Sequence, residues 1–527
     1  MLIKRLLLLV TSLIIAHTSY AEPLSSITFF SPRPQTTDAA LELIDDCLYI
    51  YNNEVKSSHL FISTIGYYQS LHPNQLALMI FGTELLVVEG SFIQNREDSA
   101  LLADYFGLSP SFQGAVHISP HWQSLYLPFT FYFNLDDWLC GLYLRVCAPF
   151  VWNRSHLKLT ETVTNNGADT LFPADYMDAI PVAAPYTSFP EALVSGKTYG
   201  LVKEPLFFGK YAPCSQSTER LANTTWDLGW NAILEEDRHF GFKMRVVTPN
   251  GTRPTGEFLF EPLAGNRHQW ELGFGLNAHT LLWCDDDQAL SIYLNLLMTH
   301  LFSGKQRRPF DIKRACSGGQ RFFSRYMLVK EFDDDGAFSG VVSPLINHTT
   351  LACDVNVAVE FDGALMFAYA YKQLNFDVGY NGWIRSKEKI SLCEGLPHDR
   401  FGLKGIQNVI NTTGQLSPVT QSTASIFGNN FAAQHIVADP NSPVFLNTEN
   451  IDISSARSPV VFSHKLFTYI GYTGGKLHKH RSVQPCIGIG SEIEFQGINT
   501  NNDDLCKMDQ LTLSQWSVFL KAGFLFG

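Results

Sequence analysis

Three short runs of the sequence carry side chains of the kinds that bind ions. His478-Lys479-His480-Arg481 combines imidazole nitrogens with cationic groups, a mixture that can hold a metal or an anion. Asp285-Asp286-Asp287 and Asp333-Asp334-Asp335 offer the carboxylate oxygens that divalent cations prefer. All three runs also have the composition of hydrated turns between strands, and we interpret them so. The sequence therefore predicts no metal site.

Motifs that position catalytic groups at fixed spacing are absent from the sequence. It contains no GxxxxGK[ST] phosphate loop, no HExxH zinc helix and no GxSxG nucleophile turn. The 16 histidines show no spacing that pairs one of them with a nucleophile. We therefore expect no catalytic residue, no cofactor and no enzymatic activity.

The charge balance argues against nucleic acid as a partner. The chain of 527 residues has 38 Lys and Arg against 50 Asp and Glu, which gives a net charge of -12. Binding to phosphates requires a basic face. A content of 45% hydrophobic and 17% charged residues is that of a folded chain.

The first residues have the pattern of an export signal. Lys4 and Arg5 precede a short apolar stretch, and Ser19-Tyr20-Ala21 places small residues at the positions that define a cleavage site. The stretch is shorter than the roughly 20 residues that a spanning helix needs. We predict a cleaved signal peptide over residues 1–21. All ten cysteines follow it, in a compartment where disulfides persist, and their pairing stays open.

Segments throughout the remaining chain alternate apolar and polar residues with the period of two that strands have. In Trp270–Ala278, for example, the even positions are apolar and the odd positions are Glu, Gly, Gly and Asn. Twelve segments share this pattern: 125–135, 140–150, 223–233, 238–248, 268–279, 290–302, 321–330, 355–371, 374–387, 462–473, 485–498 and 513–526. Four more are candidates: 57–69, 76–88, 156–164 and 256–262.

The length and composition of these segments favour a membrane barrel over a soluble β-sandwich, which would also alternate. Most are long enough to cross a bilayer as tilted strands, whereas soluble strands average about 5 or 6 residues. The polar face mixes glycine with both charge signs, as a solvated lumen does. Aromatic residues lie toward segment ends on the apolar face, as interfacial girdles require: Trp226, Trp230, Trp270, Tyr380 and Trp516.

We therefore predict an all-β fold, a single antiparallel transmembrane β-barrel of about 12 to 16 strands with long loops. The barrel extends over residues 57–527, and residues 22–56 form either a small plug or a first strand. Two stretches without strong alternation, 165–222 and 388–461, are long irregular loops. Each of them either folds into the lumen or faces outward as a binding surface or a disordered loop.

The last segment carries the most specific pattern. Residues 513–526 alternate up to an aromatic penultimate position, through Trp516, Val518, Leu520, Ala522, Phe524 and Phe526. This segment resembles the closing strand of bacterial outer-membrane β-barrel proteins of the porin-like kind. The resemblance implies a location in the cell outer membrane, recognition of strand 513–526 by the barrel-assembly machinery, and a homo-oligomer as one possible state. It assigns no finer family.

A barrel of this size can leave an aqueous channel. We expect a passive diffusion channel for small hydrophilic solutes in the outer-membrane bilayer. One alternative is a structural or host-contacting surface barrel that acts through its long loops, and another is a plugged transporter for hydrophobic solutes. By parity, the pore-lining residues are Arg145, Asp227, Lys243, Arg245, Glu271, Asp362, Asp377, Arg385, Lys387, Glu492, Glu494 and Lys521.

Overall fold

In the computed structural model, twelve antiparallel strands form a closed barrel. The structure describes residues 28, 33–34, 38–48, 50, 59–94, 96–97, 100–174, 176–313, 323–334, 338–404, 409–410, 416–417, 445–474, 483–498 and 512–526. The barrel strands are β1 (His59–Ser70), β2 (Gln113–Asn134), β3 (Leu142–Asn165), β4 (Thr225–Leu234), β5 (Arg238–Val247), β6 (Glu271–Asp285), β7 (Gln288–Pro309), β8 (Thr350–Tyr371), β9 (Leu374–Arg385), β10 (Val461–Thr473), β11 (Val483–Ile498) and β12 (Thr512–Phe526).

Each strand pairs with its neighbours in the chain, and β12 closes the ring on β1. The closing pair aligns His59 with Phe526 and Ser70 with Gln515. Closure matters because an open sheet edge would leave backbone N–H and C=O groups unpaired in hydrocarbon. The predicted all-β barrel is confirmed, with a strand number at the lower end of the predicted range.

The two ends of the barrel differ in their connections. At one end the turns are short, as at 235–237, 286–287 and 372–373. At the other end the connections are long, as at 71–112, 166–224 and 386–460. In membrane barrels the short turns face the periplasm and the long loops face outward.

Alternation along the strands separates two faces. The outer face is an apolar surface on which Trp226, Trp230, Trp270 and Tyr380 are exposed, while Trp516 is partly buried. The inner face is polar and buried. This inverts the arrangement of a soluble protein and suits a lipid environment.

The long connections fold into a cap over one end of the barrel. It contains helices α2 (Pro73–Phe81), α3 (Phe189–Val194) and α4 (Leu345–Thr349). A small sheet is ordered Phe338–Pro344, Leu328–Phe332, Phe401–Leu403 and Phe445–Leu446. Shorter strands extend or bridge the connections: Leu85–Glu89, Leu101–Leu102, Gln216–Leu221, Asp311–Ile312, Glu388–Leu392, Val409–Ile410, Leu416–Ser417 and Ile451–Asp452. Among the described residues, no helix is both long and apolar enough to cross a membrane.

One predicted barrel strand and two of the four further candidates do not lie in the barrel. The segment 321–330 enters the cap sheet through Leu328–Phe332, and 76–88 forms most of α2 and part of the cap strand Leu85–Glu89. Segment 256–262 forms no strand among the described residues. Most apolar residues in these segments, among them Phe81, Phe260 and Leu328, are buried in the cap, which also requires a hydrophobic core. Segment 57–69 became β1, and 156–164 continues β3 as one long strand.

Candidate functional site

A segment of the N-terminal region occupies the barrel lumen. Its central part is helix α1 (Ala39–Asp46), which Asp38 caps by accepting a hydrogen bond from the Ala40 amide at 3.0 Å. Near the start of the segment, the Thr28 carbonyl accepts a hydrogen bond from the Glu261 amide in the long connection between β5 and β6. The chain then continues beyond α1 to β1, which begins at the short-turn end. The segment therefore passes from the cap toward the opposite end, and we name its described residues, 28, 33–34, 38–48 and 50, the plug.

Glu42 of the plug helix binds cations on the wall formed by β3, β4 and β5. Its carboxylate lies 2.8 Å from Arg245, 3.3 Å from Lys243 and 3.7 Å from Arg145. All four side chains are buried. The carboxylate thus compensates charges that are costly to bury alone.

The wall itself aligns its charges by strand register. Arg145 pairs with Asp227, and Asp227 pairs with Arg245, so the three residues lie side by side on neighbouring strands. Arg245 donates to Asp227 through Nε and Nη2, each at 2.6 Å. One wall carboxylate is shared by two guanidinium groups, and Glu42 supplies the second negative charge.

Lys243 and Tyr132 complete this wall around the end of α1. The Tyr132 hydroxyl donates to Asp46 at 2.6 Å, and the Lys243 ammonium lies 3.8 Å from the same carboxylate. Gly275 on β6 leaves room for the lysine, because a Cβ there would lie 2.8 Å from Lys243 Cγ. The glycine lets the long side chain lie along the wall and reach the plug.

The opposite wall holds the plug through charges of the other sign. Arg33 lies 3.3 Å from Glu494 on β11 and 3.6 Å from Asp362 on β8. It also donates to Ser463 and Asn381 at 2.8 Å each. Arg33 thus neutralises acidic residues on the side of the ring that faces β4.

Lysines on two further strands, β10 and β12, bind acidic residues of the plug. Lys465 on β10 forms an ion pair with Asp38 and lies 3.3 Å from Glu492. Lys521 on β12 lies 2.9 Å from Asp45 and donates to the Ile44 carbonyl at 2.8 Å. Ion pairs from β3 and β5 on one wall, and from β8, β10, β11 and β12 on the other, therefore anchor the plug.

A second charged cluster lies toward the cap. Glu388 accepts hydrogen bonds from Arg267 and from Arg308, each at 2.6 Å, and from Arg385 at 3.4 Å. All four side chains are nearly inaccessible to solvent. This cluster joins the connection before β6 to β7, to β9 and to the segment after β9.

Eleven of the twelve predicted pore-lining residues lie in barrel strands with buried side chains. The exception is Lys387, which follows β9 and is half-buried. Most of the eleven contact the plug or one another. Their role in lining a conducting pore stays a prediction.

Sequence reasoning missed the acidic partners on the plug. Residues 38–46 contain Asp38, Glu42, Asp45 and Asp46 without a basic residue. An acidic run of this kind, upstream of a barrel with a basic inner wall, is the sequence signal that indicates complementary charges on the plug and the wall. The alternatives for residues 22–56 were a plug or a first strand, and the described part of this segment lies in the lumen.

The structure gives no support to the other candidate sites. Among the described residues, no group of three or more His, Cys, Asp or Glu side chains can hold a metal ion. The run 478–481 and the predicted signal peptide over residues 1–21 lie outside the described residues. The eight described cysteines are all free, and three of them, Cys147, Cys353 and Cys486, are buried.

Comparison with known proteins identifies no relative by sequence. No protein-family model matches the chain, and no curated protein matches it. Similar solved structures include an outer-membrane channel from Pseudomonas putida F1, with 7% identity, coverage of 90% of this chain and 98% of that one, and a TM-score of 0.32. A FadL homologue from Pseudomonas aeruginosa has 8% identity, coverage of 97% of this chain and 96% of that one, and a TM-score of 0.25. The Pseudomonas putida toluene transporter TodX has 9% identity, coverage of 96% of this chain and 97% of that one, and a TM-score of 0.23. Similarities of this size assign neither a family nor a solute.

The assignment of the fold rests on the chain itself. Its strands close into a ring, its outer face is apolar and its inner face is polar. The architecture is that of an outer-membrane β-barrel protein. No finer family follows.

Proposed function

We propose that the protein is a gated outer-membrane channel for small hydrophilic solutes, closed at rest by its own plug. The observation that carries this proposal is the position of Glu42 and Arg33, which bind opposite walls of the lumen from one short segment. An open diffusion channel requires an unobstructed lumen. The geometry therefore favours a gated channel over a permanently open one.

The ion pairs explain how the plug can be both stable and removable. Burying charges carries a desolvation cost that offsets much of their attraction, so a buried ion pair contributes little net stability compared with its Coulomb energy. The plug is joined to the barrel at the short-turn end through β1. Withdrawal toward that end is the route that its connection allows.

The opened lumen would carry charges of both signs. Arg145, Lys243 and Arg245 would face water on one wall, with Asp227 among them. Glu492 and Glu494 would do so on the facing wall. Because both signs line the path, we expect no strong preference for anions or cations.

A deletion of residues 22–50 tests the proposal directly. In planar-bilayer recordings, the wild type should be mostly closed, whereas the deletion variant should show defined conductance steps. Heat-modifiable gel mobility must first show that both proteins have folded into closed barrels. A folded deletion variant without steps would sink the proposal, and so would a wild type that is as open as the deletion variant.

A second candidate, transport of hydrophobic solutes, is favoured by one observation. A small depression between the cap and strands β2 and β3 is lined only by apolar and aromatic side chains, among them Phe106, Ile118, Leu157 and Phe189. As it stands it has room for about one water molecule, so a solute would have to displace side chains. Binding of an apolar fluorescent probe that Leu157→Arg abolishes would support this candidate.

Further proposals concern the cellular setting. We propose that the protein resides in the outer membrane and has no enzymatic activity. We also propose that β12 is recognised by the barrel-assembly machinery, since its alternation ends in an aromatic residue. Pull-down of the assembly machinery by wild-type chains, but not by chains with Phe526→Ser, tests the last point. A homo-oligomer stays a prediction.

A further inference from the structure

Seven buried polar atoms along one side of the plug make no hydrogen bond to any described residue. They are Asp46 Oδ2, Glu271 Oε2, Asn277 Oδ1, Asn295 Oδ1, Asn295 Nδ2, Thr299 Oγ1 and Glu360 Oε2. Each of the six residues is at most 4% exposed. The closest cations to Asp46 and Glu360 lie 3.8 and 3.7 Å away, beyond hydrogen-bond reach.

These atoms belong to neighbouring elements. Asn277 on β6 pairs with Asn295 on β7, and Thr299 on β7 pairs with Glu360 on β8. Helix α1 packs against β7 and β8, and Asp46 is its last residue. The unbonded atoms therefore line a strip between the plug helix and three adjacent strands.

The chemistry of these atoms indicates which molecule forms their missing hydrogen bonds. A buried polar atom left without a partner costs about 1–3 kcal/mol, and buried groups of this kind are normally bonded by protein or by ordered water. Six of the seven atoms are oxygens and one is an amide nitrogen. A molecule that forms hydrogen bonds with all of them must donate to the oxygens and accept from the nitrogen, and water does both.

We infer that a file of water molecules passes the plug along β6, β7 and β8, so that the closed barrel conducts water while it excludes solutes. This inference rests on the proposed function, since it requires the plug to stay in place. Larger solutes are excluded by the plug itself, which Glu42 and Arg33 hold against opposite walls.

The test is osmotic water permeability of proteoliposomes that contain the full mature chain, measured by stopped-flow light scattering. The wild type should raise water flux above that of protein-free liposomes, with the weak temperature dependence of a pore. The double variant Asn295→Leu with Thr299→Val should lose this increment, because apolar groups of similar size remove the hydrogen-bonding sites. Thr64→Val is the matched control, since Thr64 is an equally buried threonine on β1 and should leave the flux unchanged.

Two outcomes would overturn the inference. One is a folded, inserted wild type with no increment in water flux, and the other is an increment that survives in the double variant. A wild type that passes both water and ions would instead contradict the proposed closed state, which the bilayer recordings report separately. If Asn295→Leu impairs folding, a high-resolution experimental structure decides the matter, because ordered water must lie within hydrogen-bond distance of Asn295 Oδ1 and Nδ2.

Discussion

Glu42 and Arg245 are 203 residues apart in the chain, and their side chains meet in the barrel lumen at 2.8 Å. Glu42 lies on the plug helix and Arg245 lies on β5. The contact joins a segment that precedes the barrel to the barrel wall. Loss of this contact should therefore lower the stability of the plug in the lumen and leave the barrel folded.

Replacement of Glu42 by alanine should open the channel. It leaves Arg145, Lys243 and Arg245 to be balanced by Asp227 and by Asp46, which lies 3.8 Å from Lys243, and breaking a buried charge cluster in this way costs about 3–5 kcal/mol. Planar-bilayer recordings should show openings far more often than in the wild type. The control is Glu191→Ala, because its ion pair with Lys197 is exposed and contributes only about 0–1 kcal/mol. Equal open probability in the two variants would contradict a plug held by Glu42.

A charge on the outer face should destabilise the barrel according to its depth. Leu276 lies about midway along β6 between Trp270 and Trp283, whereas Leu282 adjoins Trp283 at the end of the strand. We expect Leu276→Arg to lower the free energy of unfolding by about 2–4 kcal/mol and Leu282→Arg by about 0–1 kcal/mol. Reversible denaturant unfolding in lipid vesicles measures both. Equal costs would mean that these two residues do not differ in bilayer depth.

Cysteine labelling should report the orientation of the barrel. Cys214 and Cys393 are exposed on the long connections, while Cys140 and Cys284 are exposed near the short turns. A membrane-impermeant maleimide added to intact cells should label the first pair and spare the second, as mapped by peptide mass spectrometry. After membrane disruption all four should react. The opposite pattern on intact cells would invert the assigned orientation.

The cap should become more stable as pH rises. Burial lowers the pKa of Lys330 to about 6, helped by the charge of Lys404, and burial lowers the pKa of Lys404 to about 7, opposed by Asp104. Both pKa values lie below the ordinary lysine value of 10.5, so the unfolded cap binds more protons than the folded cap between these limits. Stability therefore increases with pH from about 6 to about 10 and levels off beyond each limit.

Limited proteolysis of the cap measures this dependence, with each rate normalised to an unstructured peptide at the same pH. Replacing Lys330 and Lys404 with methionine should flatten the profile. Replacing Lys203, an exposed lysine of the same cap, should leave it as in the wild type. A double variant that keeps the wild-type slope would show that other groups set the pH dependence.

The sequence by itself determined the barrel and its two faces. Alternation with a period of two is a local property, and it places Trp226 and Trp270 on one face and Asp227 and Glu271 on the other whatever the rest of the chain does. The same local pattern misassigned 321–330, because apolar residues of a cap strand and of a membrane strand alternate alike.

Only the tertiary structure decided what fills the lumen. The ion pairs of Glu42 and Arg33 join residues separated by hundreds of positions, and such pairs leave no periodic signal in the sequence. A polar inner face alternates in the same way whether it contacts water or a plug. The distinction between an open and an occupied channel therefore depends on the placement of the plug, which the fold alone determines.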